Sequence, residues 1–333
     1  MENYLQNKEV ILSVKDLDVR FSLRGKSLHA IRGVSLDVYK GESLAIVGES
    51  GSGKSVLTKN FIGLLDKNGT IDKGEILFEG MDLAKFKTER EWAKIRGKKI
   101  AMVMQDPMTS LNPLKTIGWQ ISEALILNRG MNHAQAKAET LNILKDVGIS
   151  EPERRYKQYP HEFSGGMRQR VVIAIAVACS PEILICDEPT TALDVTIEAQ
   201  ILQILKDLKT QYNTAILMIT HNFGLVAEVA DRIAVMYAGN IVEQGNVFDV
   251  FAAPSHPYTR LLMRALPRKT KHEGRLETID GNVPRITEKK PGCRFANRCP
   301  LAKEICFTEN PPVLTVSHDH TFSCHFAEEA SKL

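Results

Sequence analysis

One short stretch constrains the fold more than any other part of the chain. It consists of a glycine, four further residues and a Gly-Lys-Ser triplet, in the order Gly48-Glu49-Ser50-Gly51-Ser52-Gly53-Lys54-Ser55. The apolar run Ser43 to Val47 predicts a buried strand before it, and Val56 to Leu65 predicts a helix after it. A strand, a glycine-rich turn and a helix in this order are typical of a phosphate-binding loop, because backbone N–H groups and the helix N-terminus face the anion. The chain is therefore predicted to hold a phosphate group on an α/β core.

The residues of this loop have separate expected roles. Glycine lacks a Cβ, so Gly48, Gly51 and Gly53 allow the backbone to approach an anion closely. We expect Lys54 to reach the β- and γ-phosphates of a nucleotide, and we expect the hydroxyl of Ser55 to hold Mg²⁺. The remaining loop residues and the first residue of the predicted helix complete the nucleotide site: Glu49, Ser50, Ser52 and Val56.

Composition and charge exclude several classes of protein. The net charge of +3 is too small to indicate nucleic-acid binding. No apolar run reaches the roughly 18 residues that a membrane helix needs. The first residues carry no basic segment followed by an apolar one, so no signal peptide is expected. We therefore expect a cytosolic globular protein whose six cysteines serve as thiols or metal ligands rather than disulfides.

Patterning on either side of the loop predicts a second layer and a helical insertion. Val10 to Phe21 and Ala30 to Val38 alternate apolar and polar residues, which predicts antiparallel strands beside the phosphate-binding core. Between Pro107 and Cys179, apolar residues recur at three- and four-residue spacing, which predicts helices. Phe21 has two open interpretations, since it can stack on an adenine or serve as a core aromatic at a strand end.

Two further motifs carry polar groups at the ends of predicted elements. Gln105 follows the predicted strand Lys98 to Met104, where a side chain can reach bound Mg²⁺ or an attacking water. The alternative for Gln105 is an exposed glutamine in a loop. Ser164, Gly165 and Gly166 open a predicted helix and form a second candidate anion site. The alternative is a serine-capped helix with flexible glycines. Because one loop is sufficient for one nucleotide, a second cradle predicts a nucleotide shared between two subunits.

Two carboxylates end an apolar strand. Ile183 to Cys186 predicts a buried strand followed by Asp187 and Glu188, and ligands bind at this end of parallel strands. Asp187 is expected in the outer coordination sphere of Mg²⁺, and Glu188 is expected to polarise the water that attacks the γ-phosphate. Asp194 lies in a short loop just beyond. His221 follows another apolar strand, where a histidine can contact a γ-phosphate.

These motifs each occur once and in this order, and together they resemble the ATP-binding subunit of an ABC transporter. Six motifs of that family have a match in this chain: the Walker A loop at Gly48–Ser55, the Q-loop at Gln105, the signature at Ser164–Gln169, the Walker B acids at Asp187 and Glu188, the D-loop at Ala192–Asp194 and the switch histidine at His221. The resemblance implies an α/β P-loop NTPase core with an antiparallel β layer and a helical insertion at about 107–180. It also implies Mg²⁺-dependent ATP hydrolysis in which Glu188, His221 and Gln105 act. Asn222 departs from the family's usual aspartate and leaves the local hydrogen bonding open.

A narrower resemblance is to the Opp/Dpp-type ATPases, which power bacterial import of oligopeptides and dipeptides. It rests on the run Gln105 to Pro113, on Ser255 to Thr259, and on the cysteine-bearing tail. It implies two transmembrane permeases, a second ATPase subunit of the same or a different kind, and an extracytoplasmic substrate-binding protein as partners. It places the chain on the cytoplasmic face of the cell membrane. Related members import nickel or other small solutes, so the substrate stays open.

A tail with four cysteines follows the predicted ATP-binding domain, residues 8–265, and forms a predicted extension, residues 266–333. The cysteines are separated by five, six and seventeen residues: Cys293, Cys299, Cys306 and Cys324. Four thiolates can bind zinc or an iron–sulfur cluster, and the lack of a two-residue spacing favours the cluster over zinc. Unligated thiols are the remaining alternative. The narrower resemblance also implies a [4Fe–4S] cluster in some members, so these cysteines are predicted cluster ligands. Three nearby histidines are expected at the surface: His318, His320 and His325.

Two rival functions follow from the same motifs. A soluble ABC ATPase of DNA repair or translation tends to carry two cassettes or a long coiled-coil insertion, and neither pattern is present in the sequence. The other rival is a redox sensor in which the cysteine tail regulates the ATPase. The motifs taken together favour the importer subunit.

Overall fold

The computed structural model describes residues 8–23, 25–191, 193–265, 279–284, 291–317 and 319–333. Its strands are β1 Val10–Leu23, β2 Lys26–Tyr39, β3 Ser43–Val47, β4 Gly69–Phe78, β5 Met81–Asp82, β6 Ile100–Val103, β7 Ile183–Asp187, β8 Ala215–Thr220, β9 Arg232–Tyr237, β10 Asn240–Asn246, β11 Val313–Ser317 and β12 His320–Ser323. Its helices are α1 Lys54–Asn60, α2 Glu89–Trp92, α3 Pro107–Ser110, α4 Ile117–Arg129, α5 His133–Asp146, α6 Pro152–Arg155, α7 Gly165–Val177, α8 Val195–Tyr212, α9 Phe223–Val229, α10 Val247–Ala252, α11 Pro257–Arg264, α12 Ile305–Thr308 and α13 Ala327–Ser331.

The chain divides into two compact units that each draw on separate parts of the sequence. The first unit comprises residues 1–39, 44–85 and 220–333, and the second comprises residues 40–43 and 86–219. The phosphate-binding loop and the C-terminal tail therefore belong to the first unit. The strand that ends in Asp187, the signature and Gln105 belong to the second unit.

The first unit contains the predicted antiparallel layer. Its four strands lie in the order β2-β1-β4-β5, and each neighbouring pair is antiparallel. Alternation buries Leu12 and Val14 in β1, and after a register shift between Val14 and Leu17 the strand buries Leu17 and Val19. Both long strands extend further than predicted, because β1 continues to Leu23 and β2 already begins at Lys26. The expected strand layer is thus confirmed.

The first unit also contains a mixed sheet to which the tail contributes. In it β3 runs parallel to β9, β9 is antiparallel to β10, and β10 is followed by β12 and β11. β12 joins the sheet where Phe322 and Thr321 lie opposite Glu243 and Gln244. The sequence predicted turns in this tail and no strands, so its contribution to the sheet was missed. Short strands of this kind lack the length that makes an alternating pattern recognisable.

The second unit contains parallel strands and the predicted helices. Its strands lie in the order β8-β7-β6, all parallel, and β7 is buried up to Cys186. The helices predicted near 117–127 and 134–147 are confirmed as α4 and α5. Local signals set their boundaries: the hydroxyl of Thr116 accepts from the N–H of Trp119 to start α4, and Gly130 ends it with φ 65°. Within the described ranges, no helix is long and apolar enough to cross a lipid bilayer.

Candidate functional site

The phosphate-binding loop is packed tightly into the first unit. Gly48, Gly51 and Gly53 have φ values of 149°, 79° and 103°, which favour glycine. A Cβ on Gly48 would lie 2.1 Å from the carbonyl oxygen of Met236 at the end of β9. The N–H of Gly239 donates to the carbonyl of Ser52 at 2.9 Å. The strand next to the loop and the turn after it therefore determine the loop's shape.

Two side chains inside the loop fit a bound phosphate. Lys54 is 6% exposed, and its ammonium donates to the carbonyls of Gly48 at 2.8 Å and Glu49 at 3.1 Å. The Ser52 hydroxyl is buried and has no hydrogen-bond partner within the described part of the chain. An unsatisfied buried hydroxyl is costly, so a ligand oxygen at this position would stabilise the loop. Ser55 and Val56 follow as the second and third residues of α1.

Glu188 stands at the carboxyl end of β7 in an uncommon backbone conformation. Its φ is 48°, in the left-handed region that few residues other than glycine adopt. Its N–H donates to the carbonyl of Ile219 at 2.9 Å. One carboxylate oxygen accepts from Gln105 Nε2 and from Thr191 Oγ1, each at 3.0 Å. The structure thus brings together two of the predicted catalytic residues, and the hydrogen bonds orient the carboxylate of Glu188.

The signature residues open α7, and two neighbouring glycines have different surroundings. Ser164 caps the helix by accepting from the N–H of Met167. A Cβ on Gly166 would lie 2.6 Å from Ile197 Cγ2, whereas the nearest atom that the described residues offer to a Cβ on Gly165 is Leu193 Cδ2 at 4.0 Å. Gly166 is therefore needed for packing inside the unit. Within the described residues, a Cβ on Gly165 meets no close neighbour, which is compatible with the approach of a ligand.

Three other predicted residues occupy strand and helix ends. Asp194 caps α8 by accepting from the N–H of Ile197 at 3.0 Å. His221 is exposed after β8, and Asn222 caps α9 by accepting from the N–H of Gly224 at 3.0 Å. Asn222 therefore supplies a hydrogen bond of its own in place of the family's aspartate. Ala192 of the predicted D-loop and His318 lie outside the described residues.

Phe21 lies near the end of β1, where it faces Leu28 of β2 and Gly69 of β4. Only 9% of its surface is exposed. A Cβ on Gly69 would lie 2.8 Å from Phe21 Cε1, so the ring packs directly on that glycine. This packing agrees with the core interpretation of Phe21, and its stacking on an adenine stays a prediction.

The predicted iron–sulfur cluster in the tail is wrong. Among the residues that the structure describes, no group of three or more His, Cys, Asp or Glu side chains could hold a metal ion. The four tail cysteines instead line one cavity of about 20 Å³, which is room for roughly one water molecule. Burial raises the pKa of the Cys293 and Cys324 thiols, and it raises the pKa of Cys299 to about 11. Spacing along the chain did not reveal this small and largely apolar setting.

The expectation that His320 lies at the surface is also wrong. His320 is 2% exposed, and its Nε2 lies 2.7 Å from Glu243 Oε1. The fully buried carboxylate of Glu243 also accepts from the backbone N–H groups of Ser255 and His256, at 2.6 and 2.9 Å. The buried acid is therefore satisfied from three sides, and His320 attaches the tail to β10.

Sequence reasoning missed a contact between the tail and the phosphate-binding loop. Arg298 donates to both carboxylate oxygens of Glu49, at 3.0 and 3.1 Å. Tyr258 accepts from the N–H of Glu49 at 3.1 Å. Arg298 stands 249 positions after Glu49, and no local pattern links residues so far apart. The only feature of the sequence that could have drawn attention to Arg298 is its position directly before Cys299, one of the four tail cysteines.

Comparisons with protein families agree with the site's motifs. A family model described as ABC transporter matches residues 31–191. A second model, described as oligopeptide/dipeptide transporter, C-terminal region, matches residues 242–306. The second match includes Arg298 and three of the four tail cysteines.

Individual relatives cover nearly the whole chain. The oligopeptide transport ATP-binding protein AmiE of Streptococcus pneumoniae is 50% identical over 95% of this chain and 89% of its own length. The dipeptide transport ATP-binding protein DppD of Bacillus subtilis is 47% identical over 97% of both chains. Among solved structures, the ATP-binding cassette MJ0796, a dimer in a post-hydrolysis state bound to ADP and Pi, superposes with a TM-score of 0.64. It is 28% identical, over 71% of this chain and 98% of its own.

Proposed function

The chain belongs to the ABC transporter family of ATP-binding ATPases, and we propose that it energises the import of oligopeptides or dipeptides. Its motifs predicted this family, and the comparisons confirm that prediction. The observation that carries the peptide assignment is the near full-length identity to oligopeptide and dipeptide transport ATP-binding proteins. The matching C-terminal region supports the same assignment.

The organisation follows from this proposal. We assign residues 8–265 to an ATP-binding domain and residues 266–333 to a C-terminal extension of the peptide-transport type. The partners are two transmembrane permeases, a second ATPase subunit of the same or another kind, and, indirectly, an extracytoplasmic substrate-binding protein. The chain then works at the cytoplasmic face of the membrane, where its permeases present their inner loops.

The loop from Gly48 to Ser55 binds the phosphates of ATP. Its N–H groups and the Lys54 ammonium supply positive charge, and the buried Ser52 hydroxyl supplies a further donor. Lys54 leaves its loop carbonyls to contact the β- and γ-phosphates. Ser55, Gln105 and Asp187 carry the oxygen donors that Mg²⁺ prefers, and the bound ion would neutralise charge on the phosphate oxygens. Phe21 is the candidate for contact with the adenine.

Glu188 orients and polarises the water that attacks the γ-phosphate. Its strained backbone and its hydrogen bonds from Gln105 and Thr191 support this role, because both restrict where the carboxylate can point. His221 contacts the γ-phosphate and reports whether it is present. These groups act by position and charge, as phosphoryl transfer requires.

Replacing the carboxylate tests the hydrolytic role. Glu188→Gln should leave MgATP binding intact and lower turnover by roughly 10²–10⁴-fold, the usual contribution of a positioned acid or base. Glu182→Gln is the matched control, since Glu182 lies just before the other end of β7 and pairs with Lys99. Turnover near wild type in Glu188→Gln would remove this residue from the reaction.

Gly165 and its neighbours complete the ATP site of a second subunit. The room around Gly165 among the described residues supports this, because a Cβ added there lies no closer than 4.0 Å to Leu193 Cδ2. Gly165→Asp adds a negative charge opposite the partner's γ-phosphate, so hydrolysis should be lost while the monomer still binds ATP. An equal loss of ATP binding by the isolated monomer would refute the shared site.

Growth and uptake measurements in a strain that lacks this chain test the transported substrate. A strain that lacks this chain should fail to grow when a dipeptide or oligopeptide is its only source of a required amino acid. Wild-type chain should restore growth and Glu188→Gln should not. Nickel uptake, measured in the same cells, should be unaffected. Loss of nickel uptake with unchanged peptide use would refute the peptide assignment, and loss of neither would favour an ABC ATPase that is not linked to transport.

A further inference from the structure

Glu49, the second residue of the phosphate-binding loop, has a partner for each of its polar groups. Its N–H donates to the hydroxyl of Tyr258 at 3.1 Å. Its carbonyl accepts from the N–H of Ser52 at 3.2 Å and from the ammonium of Lys54 at 3.1 Å. Its carboxylate accepts from Arg298 at 3.0 and 3.1 Å. Two of the four partners, Tyr258 and Arg298, come from the C-terminal part of the first unit.

The guanidinium of Arg298 is itself held in place. Its side chain is 6% exposed. Nε donates to the carbonyl of Asp280 at 2.8 Å, and Nη2 donates to the carbonyl of Ile279 at 3.1 Å. Nη1, which binds Glu49, also lies 3.3 Å from the hydroxyl of Tyr237. Nε and Nη2 of the guanidinium thus bind carbonyls of the tail, while Nη1 binds the carboxylate of Glu49 in the phosphate-binding loop.

A rigid aromatic cluster supports both contacts. The rings of Tyr237 and Tyr258 lie 4.7 Å apart, and Phe295 lies 5.2 and 5.3 Å from them. All three side chains are at most 1% exposed. Phe295 precedes by one residue the short helical turn Ala296–Arg298 that carries the arginine. Close-packed rings leave little freedom to the groups attached to them, so this cluster fixes the directions of Arg298 and of the Tyr258 hydroxyl.

We propose that Arg298 is a positioning residue for the phosphate-binding loop, through which the C-terminal residues that hold it, Ile279, Asp280 and Phe295, set the affinity of the chain for ATP. The inference rests on the proposed function, since it concerns the same ATP site. The ion pair fixes the side chain of Glu49, and Tyr258 and Ser52 hold its N–H and its carbonyl, so this part of the loop is ordered before the phosphates bind. A loop that is already ordered loses less conformational freedom when the phosphates bind, so ATP binds more tightly.

The alternative explanation is that Arg298 only anchors the tail to the rest of the first unit, which would require the same contacts but predicts a different ATP affinity in an Arg298 variant. If Arg298 only anchors the tail, ATP affinity does not depend on it. If it orders the loop, linkage requires that ATP also stabilises the contact, because coupling between two sites is reciprocal. The two explanations can therefore be separated by measuring ATP binding and tail opening in the full chain.

The main experiment is a double-mutant cycle on ATP affinity. Arg298→Gln should weaken MgATP binding by roughly tenfold, which corresponds to about 1.4 kcal/mol. In a Glu49→Gln background the same change should have less than about a twofold effect, because the ion pair is already absent. Arg298→Lys should restore part of the affinity, since it keeps the charge without the fork. Lys303→Gln is the control, because Lys303 pairs with Glu329 elsewhere in the tail and does not touch the loop.

A second measurement needs no variant. Trypsin needs the Arg298 side chain, which is only 6% exposed, so it can cut there only when the tail opens, and saturating MgATP should slow that cut in the wild-type chain. Cleavage after the exposed Lys332 should not change. An unchanged ATP affinity in Arg298→Gln, an equal loss in the Glu49→Gln background, or no protection by MgATP would each overturn the proposal. A wild-type chain that does not bind ATP would instead refute the proposed function.

Discussion

A buried histidine should make the stability of the chain depend on pH. His256 is 2% exposed and caps α11, where its Nδ1 accepts from the N–H of Tyr258 at 3.0 Å. Burial lowers its pKa from 6.5 to about 4, and the nearby carboxylate of Glu243 opposes this shift only in part. The ring is therefore neutral in the folded chain at pH 7, as its role as an acceptor requires.

The size of the effect follows from the two pKa values. The folded-state pKa lies below the unfolded one, so the stabilisation is complete above pH 6.5 and is lost as the pH falls toward 4. A difference of roughly 2.5 units corresponds to about 3 kcal/mol between those limits. Protonation would also remove the acceptor that caps α11, so the loss is concentrated in the C-terminal part of the first unit.

Urea unfolding at several pH values between 7 and 4 tests this reasoning. His256→Asn keeps a side-chain acceptor at the helix start but does not titrate, so its free energy of unfolding should fall by about 3 kcal/mol less than that of wild type over this range. His161→Asn is the control, since His161 is exposed. Equal pH dependence of wild type and His256→Asn would show that the buried histidine is not the cause.

Three further predictions concern single positions. Gly166→Ala should lower the free energy of unfolding by about 1–3 kcal/mol, because its Cβ would lie 2.6 Å from a methyl of α8. Gly165→Ala should change that free energy by no more than about 0.5 kcal/mol, and equal shifts in melting temperature for the two variants would contradict this explanation. Gly48→Ala should abolish MgATP binding, because its Cβ would lie 2.1 Å from a backbone carbonyl, and calorimetry showing normal affinity would refute that explanation. Alkylation of Cys299 by iodoacetamide, followed by mass spectrometry, should still accelerate between pH 9 and about pH 11, the pKa to which burial raises this thiol; a plateau near pH 9 would contradict that pKa.

Local features of this chain were predictable because their causes lie within a few residues. The loop between β3 and α1 needs glycines at set positions, and eight consecutive residues contain that whole pattern. The caps of α4 and α7 likewise depend on a serine or threonine three residues before the amide that it accepts from. The apolar run of β7 followed by two acids marked the carboxyl end of a parallel strand.

The tail shows where this kind of reasoning ends. Four cysteines at irregular spacing predicted a metal cluster, but spacing gives neither the volume enclosed by the thiols nor their exposure to water. Tertiary packing made that enclosure a cavity of about 20 Å³. In the same way, the residues next to His320 in the sequence predicted an exposed histidine, and only the pairing of β12 with β10 places it beside Glu243.

Short contiguous patterns were sufficient to predict the family, the phosphate-binding loop and the acid and amide residues expected to act with it. The left-handed backbone of Glu188 and the contact between Arg298 and Glu49 became known from the three-dimensional structure alone. The physical reason is the same in both cases. Such features depend on contacts between segments that are distant in the chain. These contacts contribute to stability only in the packed structure, so no short stretch of sequence reveals them.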